Sequence, residues 1–331
     1  CRGQKYRMAP VRLRADIGGT NIRLAWRDQP DGRLHDTRVL PCAEFPTVDT
    51  AIAAYLAEVS IPTPREAAFG IANPVTGDEV RMTNHSWCFS QSALKASLGL
   101  QRLVVINDFT ALALALPTLA PAQLRQVGGG AAVAGSAIAL VGPGTGLGVS
   151  GLVFPPGASH GVPLSGEGGH VTLAAQTQRE FDVLAILQER YGHVSAERAV
   201  CGAGLVDLYH ALRRLAQRGG KEVSSAAQVT DLALQSNDAL ALEALDLFCG
   251  FLGSVAGNLA LTLGARGGVY LGGGIVPRLG TWFDQSSFRA RFESKGRFQP
   301  YLADLPCCII DPTATPALHG DSRALAIAGP D

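Results

Sequence analysis

Twice in this chain, a strand of apolar residues runs into a glycine-rich turn and a second apolar strand follows at once. The first occurrence covers residues 12–27, with Gly18-Gly19 at the turn, and the second covers residues 136–154, with the turn at 142–146. Strand and helix periodicities then alternate, which is typical of an α/β protein. A third strand at 34–40 is expected to complete an antiparallel meander. The repetition predicts a structural duplication, and the Pro/Ala/Gly-rich connection at 117–135 predicts the domain boundary.

The composition supports a packed globular protein. The chain has 331 residues, of which 47% are hydrophobic and 17% are charged, so it is long enough for two domains with a large core. Its formal net charge is +0 and no block of like charge occurs, which argues against nucleic acid and anionic membranes as partners. Glycine is frequent, at 39 residues, and its clusters predict turns where the backbone approaches a ligand closely.

Cysteines, histidines and apolar segments argue against several other classes of protein. Seven cysteines without a CxxC pair fit reduced thiols and a cytoplasmic location, and seven histidines without an HExxH motif predict no zinc site. Residues 1–8 are basic but lack the apolar centre of a signal peptide. The apolar stretch at 239–263 contains Glu243, Asp246 and Asn258, so we expect a buried helix there and not a transmembrane one.

The run from Leu103 to Phe109 carries the first candidate for chemistry. Its four apolar residues at 103–106 predict a strand buried on both faces, and Asn107 and Asp108 follow at its carboxyl end. Ligands bind at the carboxyl ends of strands in open α/β sheets, which favours Asp108 as a functional carboxylate. The alternative is that Asn107-Asp108 caps the helix predicted at 109–116, since both residue types are good N-caps. The pattern alone does not decide between these two interpretations.

Two glycine turns are candidates for phosphate binding. At Asp16-Ile17-Gly18-Gly19-Thr20-Asn21, the backbone amides of the turn suit an anion and Asp16 suits a hydrated Mg²⁺; a plain tight hairpin is the alternative.

The second turn has alternate glycines from Gly142 to Gly148, which predicts a loop and neither a strand nor a helix. It lacks the GK[ST] ending of a Walker A loop. The GxGxxG pattern at 146–151 is followed by an apolar run and not by a helix, which argues against a dinucleotide site.

A third group of polar residues suits the hydroxyl groups of a sugar. Glu167 and His170 lie among glycines, where few neighbours compete for their hydrogen bonds, and Glu197 follows later in the chain. For Glu197, the first turn of a helix capped by Ser195 is an equally open interpretation. Residues 82–87 mix polar and aromatic residues as sugar-contacting loops do, although a simple turn fits as well.

Taken together, seven motifs occur in the order found in bacterial glucokinases, and the resemblance runs from about residue 12 to the end. They are Asp16-Ile17-Gly18-Gly19-Thr20-Asn21, Thr83-Asn84-His85-Ser86-Trp87, Ile106-Asn107-Asp108-Phe109, Gly144-Thr145-Gly146-Leu147-Gly148, Gly166-Glu167-Gly168-Gly169-His170, His193-Val194-Ser195-Ala196-Glu197-Arg198 and Gly272-Gly273-Gly274-Ile275-Val276-Pro277-Arg278. The related ROK kinases carry a zinc-binding cysteine cluster that this chain lacks.

The resemblance implies the two-domain fold of actin and hexokinase, of the ribonuclease H-like kind, with an α/β domain on each side of an interdomain cleft. It places residues 1–117 with 312–331 in a small domain and residues 118–311 in a large one. The implied activity is ATP-dependent phosphorylation of D-glucose to glucose 6-phosphate, the first step of glycolysis, with Mg²⁺. A cytoplasmic homodimer is the form expected for this family.

The resemblance also implies a role for individual residues. Asp108 would be the base, and the sugar would be held by Asn84, Asn107, Asp108, Glu167, His170 and Glu197. ATP would be bound by Ala15, Asp16, Ile17, Gly18, Gly19, Thr20, Gly144, Thr145, Gly272, Gly273 and Gly274, and Asp16 would serve the metal. The chain departs from the family at Asn73-Pro74, where relatives often have Cys-Pro, and at Ala15, where several have Gly.

Three other functions remain as alternatives. A kinase for mannose or an amino sugar such as N-acetylmannosamine is one, although Glu167 and Glu197 suit free hydroxyls better than an acetamido group. A sugar-sensing regulator would usually carry an N-terminal helix-turn-helix domain, for which a first strand near residue 12 is expected to leave no room. A polymerising actin-like ATPase would not explain the group formed by Glu167, His170 and Glu197.

Overall fold

The computed structural model describes residues 11–29, 32–82, 85–158, 160–217, 221–311, 313 and 316–327. Its strands are β1 (Arg12–Ile17), β2 (Asn21–Arg27), β3 (His35–Pro41), β4 (Glu66–Ile71), β5 (Glu79–Arg81), β6 (Cys88–Ser90), β7 (Arg102–Asn107), β8 (Leu124–Gln126), β9 (Ile138–Pro143), β10 (Leu147–Val153), β11 (Val162–Pro163), β12 (Val269–Leu271) and β13 (Cys307–Ile310).

The helices are α1 (Val48–Val59), α2 (Gln91–Ser97), α3 (Asp108–Ala115), α4 (Gln178–Tyr191), α5 (Gly202–Ala216), α6 (Ala226–Leu234), α7 (Ala239–Leu263), α8 (Phe288–Glu293), α9 (Gln299–Ala303) and α10 (Pro316–Ile327). The chain divides into two compact units, of which unit 1 comprises Cys1–Leu119 with Thr315–Asp331 and unit 2 comprises Ala120–Ala314.

Unit 1 is built on a five-stranded sheet in the order β3-β2-β1-β4-β7. The first three strands form the predicted antiparallel meander, and β4 and β7 then add in parallel. Because β7 is an edge strand, only Val105 of its apolar residues is buried, and the others are half-buried. The expectation that this strand is buried on both faces is therefore wrong.

Unit 2 repeats this arrangement. Its sheet runs β11-β10-β9-β12-β13-β8, with antiparallel pairs followed by parallel ones in the same sequence as in unit 1. The added strand β8 pairs antiparallel with β13 and lies in the connection where no strand was predicted. The predicted duplication of strand topology is thus confirmed.

Helix α7 is the centre of unit 2 and packs against α5, α6, α8 and β9. It is the one helix in the described ranges that is long and apolar enough to span a membrane, and 67% of its most apolar window is buried inside the protein. Asp246 on this helix accepts hydrogen bonds from Ser287 N at 2.7 Å and Ser287 Oγ at 2.6 Å. These features fit the predicted buried core helix.

Helix α4 shows how a local sequence signal fixes an element. Thr177 is the N-cap and accepts from Glu180 N, while Glu180 accepts in return from Thr177 N, which makes a capping box. Glu180 is also paired with Arg291 of α8, so its buried charge is compensated.

Candidate active site

The junction of β7 and α3 presents Asp108 at the start of the helix. Asn107 is the N-cap, and its Oδ1 accepts from Phe109 N at 2.9 Å and Thr110 N at 3.2 Å. Asp108 is the first helical residue and is half-buried, with its Oδ1 accepting from Phe109 N at 2.8 Å. The helix cap is therefore real, and Asn107 provides it while Asp108 is held beside it in a fixed backbone position. Asn107 Oδ1 is committed to the cap and Nδ2 donates to Asn73 O at 3.4 Å, so this side chain has one amide N–H to offer a ligand.

The turn after β1 is a tight hairpin, as the alternative interpretation held. Gly18 N donates to Asn21 O at 3.0 Å, and Cys42 N donates to Thr20 O at 2.8 Å. Ala15 and Ile17 are fully buried strand residues, so they support the turn from within the core. Gly18 and Gly19 are half-buried and Thr20 is exposed, so the accessible face of this motif consists of the turn itself.

Asp16 lies at the end of β1, next to this turn. Its Oδ2 accepts from Arg23 Nη1 at 3.0 Å, and its side chain is 23% exposed. Burial raises the pKa of this carboxyl, and the Arg23 guanidinium acts in the opposite direction. Arg23 was not identified from the sequence, because its proximity to Asp16 depends on the register of β1 with β2.

The second glycine turn is shorter than predicted. Gly142 and Gly148 lie opposite each other within β9 and β10, so only residues 144–146 form the turn, and the expectation of a loop over the whole motif is wrong. The antiparallel ladder supplies both glycines with backbone partners, which outweighs their low intrinsic preference for strands. Thr145 is exposed at the tip of the turn, and Gly144 N donates to Gly146 O at 2.8 Å.

Several glycines predicted to approach a ligand approach this turn instead. A Cβ on Gly169 would overlap Leu147 O, and a Cβ on Gly273 would overlap Pro143 O. Gly202 N also donates to Gly144 O at 2.9 Å. These glycines in unit 2 therefore let three separate segments pack against the 143–147 backbone.

Glu197 contacts the same turn through its side chain. Its Oε2 accepts from Leu147 N at 2.8 Å, and the residue is half-buried in a short 3₁₀ turn, Ala196–Arg198. Ser195 makes no side-chain cap to this turn, so the interpretation of Glu197 as part of a capped helix is wrong. The sequence contained no signal for the bond to Leu147, which joins residues 50 positions apart.

Glu167 and His170 lie close in the chain and are both exposed. His170 N donates to Glu167 O at 3.0 Å within a second 3₁₀ turn, Gly168–His170. This turn contacts the turn that carries Glu197, because Ala196 N donates to Val171 O at 2.8 Å and Leu173 N donates to Val194 O at 3.0 Å. Unit 2 thus brings the three predicted sugar-binding residues onto two adjoining turns.

The remaining predicted residues are Gly272, Gly273, Gly274 and Asn84. Gly272 N donates to Val141 O at 2.9 Å beside the end of β9, and Gly274 is exposed. Asn84 lies outside the described residues. The neighbouring Trp87 is 2% exposed and its Nε1 donates to Phe45 O at 3.1 Å, so this aromatic ring belongs to the core of unit 1.

The described residues contain no group of three or more histidine, cysteine, aspartate or glutamate side chains that could hold a metal ion. Mg²⁺ in phosphotransferases is commonly held by one or two carboxylates, water and the phosphates of the substrate. Asp16 fits that role. Its Oδ2 is bonded to Arg23, so Oδ1 is the oxygen left for the metal, and the side chain is partly exposed next to the Gly18–Thr20 turn.

Comparison with known proteins shows the family to which this chain belongs. The glucokinase family model matches residues 13–327. A glucokinase from Aromatoleum aromaticum is 54% identical over 323 residues, with 96% of each chain covered. The bifunctional protein glk of Burkholderia thailandensis is 50% identical over 95% of this chain, but the chain spans only 48% of that protein.

Solved structures give the same result for the fold. The glucokinase of an Antarctic psychrotroph superposes with a TM-score of 0.84 at 35% identity, covering 96% of this chain and 99% of that one. A ROK family glucokinase from Streptomyces griseus, in complex with glucose and AMPPNP, matches with a TM-score of 0.64 at 18% identity, covering 96% of this chain and 100% of that one. The α/β fold of the actin and hexokinase kind is confirmed, and the chain belongs to the glucokinase family of hexose phosphotransferases.

Proposed function

We propose that this protein transfers the γ-phosphoryl group of ATP to the 6-hydroxyl of D-glucose. The observation that carries the proposal is Asp108, a partly exposed carboxylate fixed at the carboxyl end of β7 by the cap of α3. Family membership supplies the reaction class. The Streptomyces griseus protein binds glucose and an ATP analogue, which supports the same two substrates here.

The proposed sugar contacts are carboxylates, an amide and an imidazole. In unit 1, Asp108 takes the proton of the 6-hydroxyl and Asn107 donates from its side-chain amide. In unit 2, the carboxylates of Glu167 and Glu197 and the imidazole of His170 bind the hydroxyls at the O1–O3 end. Among the described residues, the side chains of Glu167 and His170 make no hydrogen bond, so both are available to a ligand.

The two turns provide the proposed nucleotide contacts. The Gly18–Thr20 turn and the Gly144-Thr145 turn offer backbone amides and two exposed hydroxyls to the phosphates. Gly274 lies near the adenosine in this proposal. When bound, Mg²⁺ neutralises charge on the transferring phosphoryl group, and Asp16 would hold it through water.

The chemistry requires mainly positioning. Phosphoryl transfer passes through a loose transition state, so the protein gains most by holding the acceptor oxygen in line with the phosphorus. A carboxylate with an ordinary pKa of about 3.9 is a weak base towards an alcohol. Asp108 therefore orients the 6-hydroxyl and accepts its proton late in the transfer.

We also propose a cytoplasmic homodimer. The six described cysteines are all free, which fits a reducing compartment. Light scattering on the purified protein tests the dimer.

The experiment that tests the function is steady-state kinetics with a panel of substrates. Glucose, mannose, fructose and glucosamine are assayed against ATP, ADP and polyphosphate by coupled detection of the products. We expect the highest kcat/KM for glucose with ATP. A preference for mannose or an amino sugar would support the alternative hexose kinase, and the absence of turnover with every pair would contradict the proposal.

Asp108→Asn tests the role of the base. An asparagine keeps a carbonyl oxygen for Phe109 N but accepts no proton, so we expect kcat to fall about 10²–10⁴-fold while glucose still binds. Kinetics together with calorimetric titration of glucose separate the two effects. Turnover close to that of the wild type would show that Asp108 is not the base.

A further inference from the structure

The bond between Glu197 and Leu147 joins two parts of the site that the proposed function keeps separate. Glu197 belongs to the proposed sugar contacts, and Leu147 directly follows the proposed nucleotide turn. Oε2 of Glu197 accepts from Leu147 N at 2.8 Å, and both residues lie in unit 2. A carboxylate bonded to a backbone amide makes a charge-assisted hydrogen bond, which is stronger than one between neutral groups.

Gly146 of the nucleotide turn also lies very close to the carboxylate of Glu197. A Cβ placed on Gly146 would lie only 2.5 Å from Glu197 Oε2 and 3.3 Å from its Cδ. Glycine is therefore required at position 146 for the carboxylate to remain where it is. The turn and the glutamate fit each other closely, and neither can shift by an ångström without displacing the other.

The two other proposed sugar residues of unit 2, Glu167 and His170, lack this connection. The side chains of Glu167 and His170 are exposed and make no contact of this kind among the described residues. Gly202 touches the same turn, but a Cβ there would lie 3.5 Å from Gly144 O, an ordinary contact distance. Glu197 is thus singled out by its geometry.

We propose that Glu197 is a positioning residue for the nucleotide turn, so that its carboxylate couples sugar binding to nucleotide binding. One oxygen, Oε2, fixes the backbone at Leu147, and the other, Oε1, is directed to the sugar. A sugar hydroxyl that fixes the carboxylate also fixes the turn, and a bound nucleotide fixes the carboxylate in return. This coupling is reciprocal by thermodynamic necessity. The inference rests on the proposed function, which supplies the two ligands.

The first arm of the test measures nucleotide binding without sugar. ADP with Mg²⁺ is titrated calorimetrically into sugar-free wild type, Glu197→Ala, Glu197→Gln and His170→Ala. We expect Glu197→Ala to weaken ADP about tenfold, the equivalent of one charge-assisted hydrogen bond. Glu197→Gln should restore most of the affinity, because its amide oxygen can still accept from Leu147 N. His170→Ala is the control and should bind ADP like the wild type. If Glu197→Ala also binds ADP like the wild type, Glu197 serves the sugar alone and the proposal is overturned.

The second arm perturbs the turn and measures the sugar. Glucose is titrated into nucleotide-free Gly146→Ala, whose added methyl group must displace Glu197 Oε2, and into Gly202→Ala as a matched control. We expect glucose to bind about tenfold more weakly to Gly146→Ala and as in the wild type to Gly202→Ala. Unchanged glucose affinity in Gly146→Ala would contradict the coupling. Thermal melts confirm that each variant is folded.

The two arms also separate this inference from the proposed function. A wild-type protein that binds ADP but neither binds nor phosphorylates glucose would contradict the proposed function. The first arm would still decide whether Glu197 positions the turn, because it contains no sugar.

Discussion

At the scale of single residues, the most unusual feature is a buried charged pair behind Asp16 and Asp108. Asp321 of α10 and Arg14 of β1 are both fully buried, and neither carboxylate oxygen of Asp321 has a hydrogen-bond partner among the described residues. A Cβ on Gly70 would lie 3.1 Å from Asp321 Oδ1 and 3.6 Å from the Cα of Asp108. Gly70 thus brings Asp321 close to the start of α3, and Asp16 pairs with Gly70 in the sheet.

Burial raises the pKa of Asp321 well above its ordinary value; Asp16 and Asp108 add to the rise and Arg14 opposes it. Burial also lowers the pKa of Arg14 to about 10. A carboxyl whose pKa is higher in the folded state binds its proton more tightly there. The free energy of unfolding therefore falls as pH rises from the ordinary pKa of about 3.8 through the folded one.

Asp321→Asn tests this relation, because asparagine has nearly the same shape and does not titrate. Relative to the wild type, we expect the variant to gain stability as pH rises from about 4 to about 8. Urea denaturation at a series of pH values measures the difference. Asp78→Asn is the contrasting control: hydrogen bonds from Ser90 and Ser92 lower the pKa of Asp78, so this variant should lose relative stability as pH rises. A pH-independent difference for Asp321→Asn would contradict the assignment.

The sequence singled out candidate functional side chains but not their partners. Asp108, Glu167, His170 and Glu197 stand out because carboxylates and imidazoles follow strands or glycines. The pair of Arg14 with Asp321 could not be predicted, since the residues lie 307 positions apart and only the packing of α10 brings them together. The same holds for the contact of Glu197 with Leu147.

At the scale of elements, the packing of α10 on α3 holds in place the helix that begins at Asp108. Leu318 and Asp321 of α10 are fully buried, and Arg14 Nε donates to Ser322 Oγ at 3.0 Å. Arg102 Nη2 donates to Leu325 O at 2.5 Å. Gly320 allows the closest approach, because a Cβ at this position would overlap Ala111 O of α3.

Gly320→Ala should therefore separate the two helices. Backbone atoms cannot yield as a flexible side chain can, so we expect a loss of stability of about 1–3 kcal/mol or more, together with reduced activity. The matched control is Gly250→Ala in α7, where the nearest atoms would be Arg291 Cγ at 3.6 Å and Ser287 Cβ at 3.7 Å. That variant should be neutral or slightly more stable, because alanine favours a helix by up to about 1 kcal/mol over glycine. Chemical denaturation and kcat of both variants give the comparison.

Long elements were predicted better than short ones. Strands β1 and β2 and helix α7 lie where the sequence predicts them, since each has a clear apolar pattern. Strands β5, β6 and β8 have three residues each and contain polar side chains, so their pairing depends on partners elsewhere in the chain. The glycines of β9 and β10 were predicted to form a loop for the same reason, because their strand pairing depends on partners elsewhere in the chain.

At the scale of the whole molecule, the two units share one strand order but differ in how the chain completes them. Unit 2 is continuous from Ala120 to Ala314, whereas unit 1 takes its last helix from beyond unit 2. The antiparallel meander and the parallel strands added to it are present in each sheet. The domain limits predicted at residues 117 and 312 remain a prediction, and the two compact units divide the chain after Leu119 and after Ala314.

A chain shortened to residues 1–314 tests the dependence of unit 1 on α10. Without this helix, the apolar faces of α3, β1 and β4 that it covers are left exposed to water. Calorimetry should show a transition of unit 1 that is lost or moved to lower temperature, while unit 2 keeps its own. A shortened chain that melts like the wild type would show that α10 contributes little.

The late position of α10 in the chain also bears on the order of events during synthesis. A ribosome releases domains from the amino terminus onward, and they usually fold in that order. Here, the first 119 residues must wait until all of unit 2 has emerged before their missing helix is available. We expect nascent residues 1–119 to be the segment that occupies chaperones, and unit 2, Ala120–Ala314, to be the first to reach its native state.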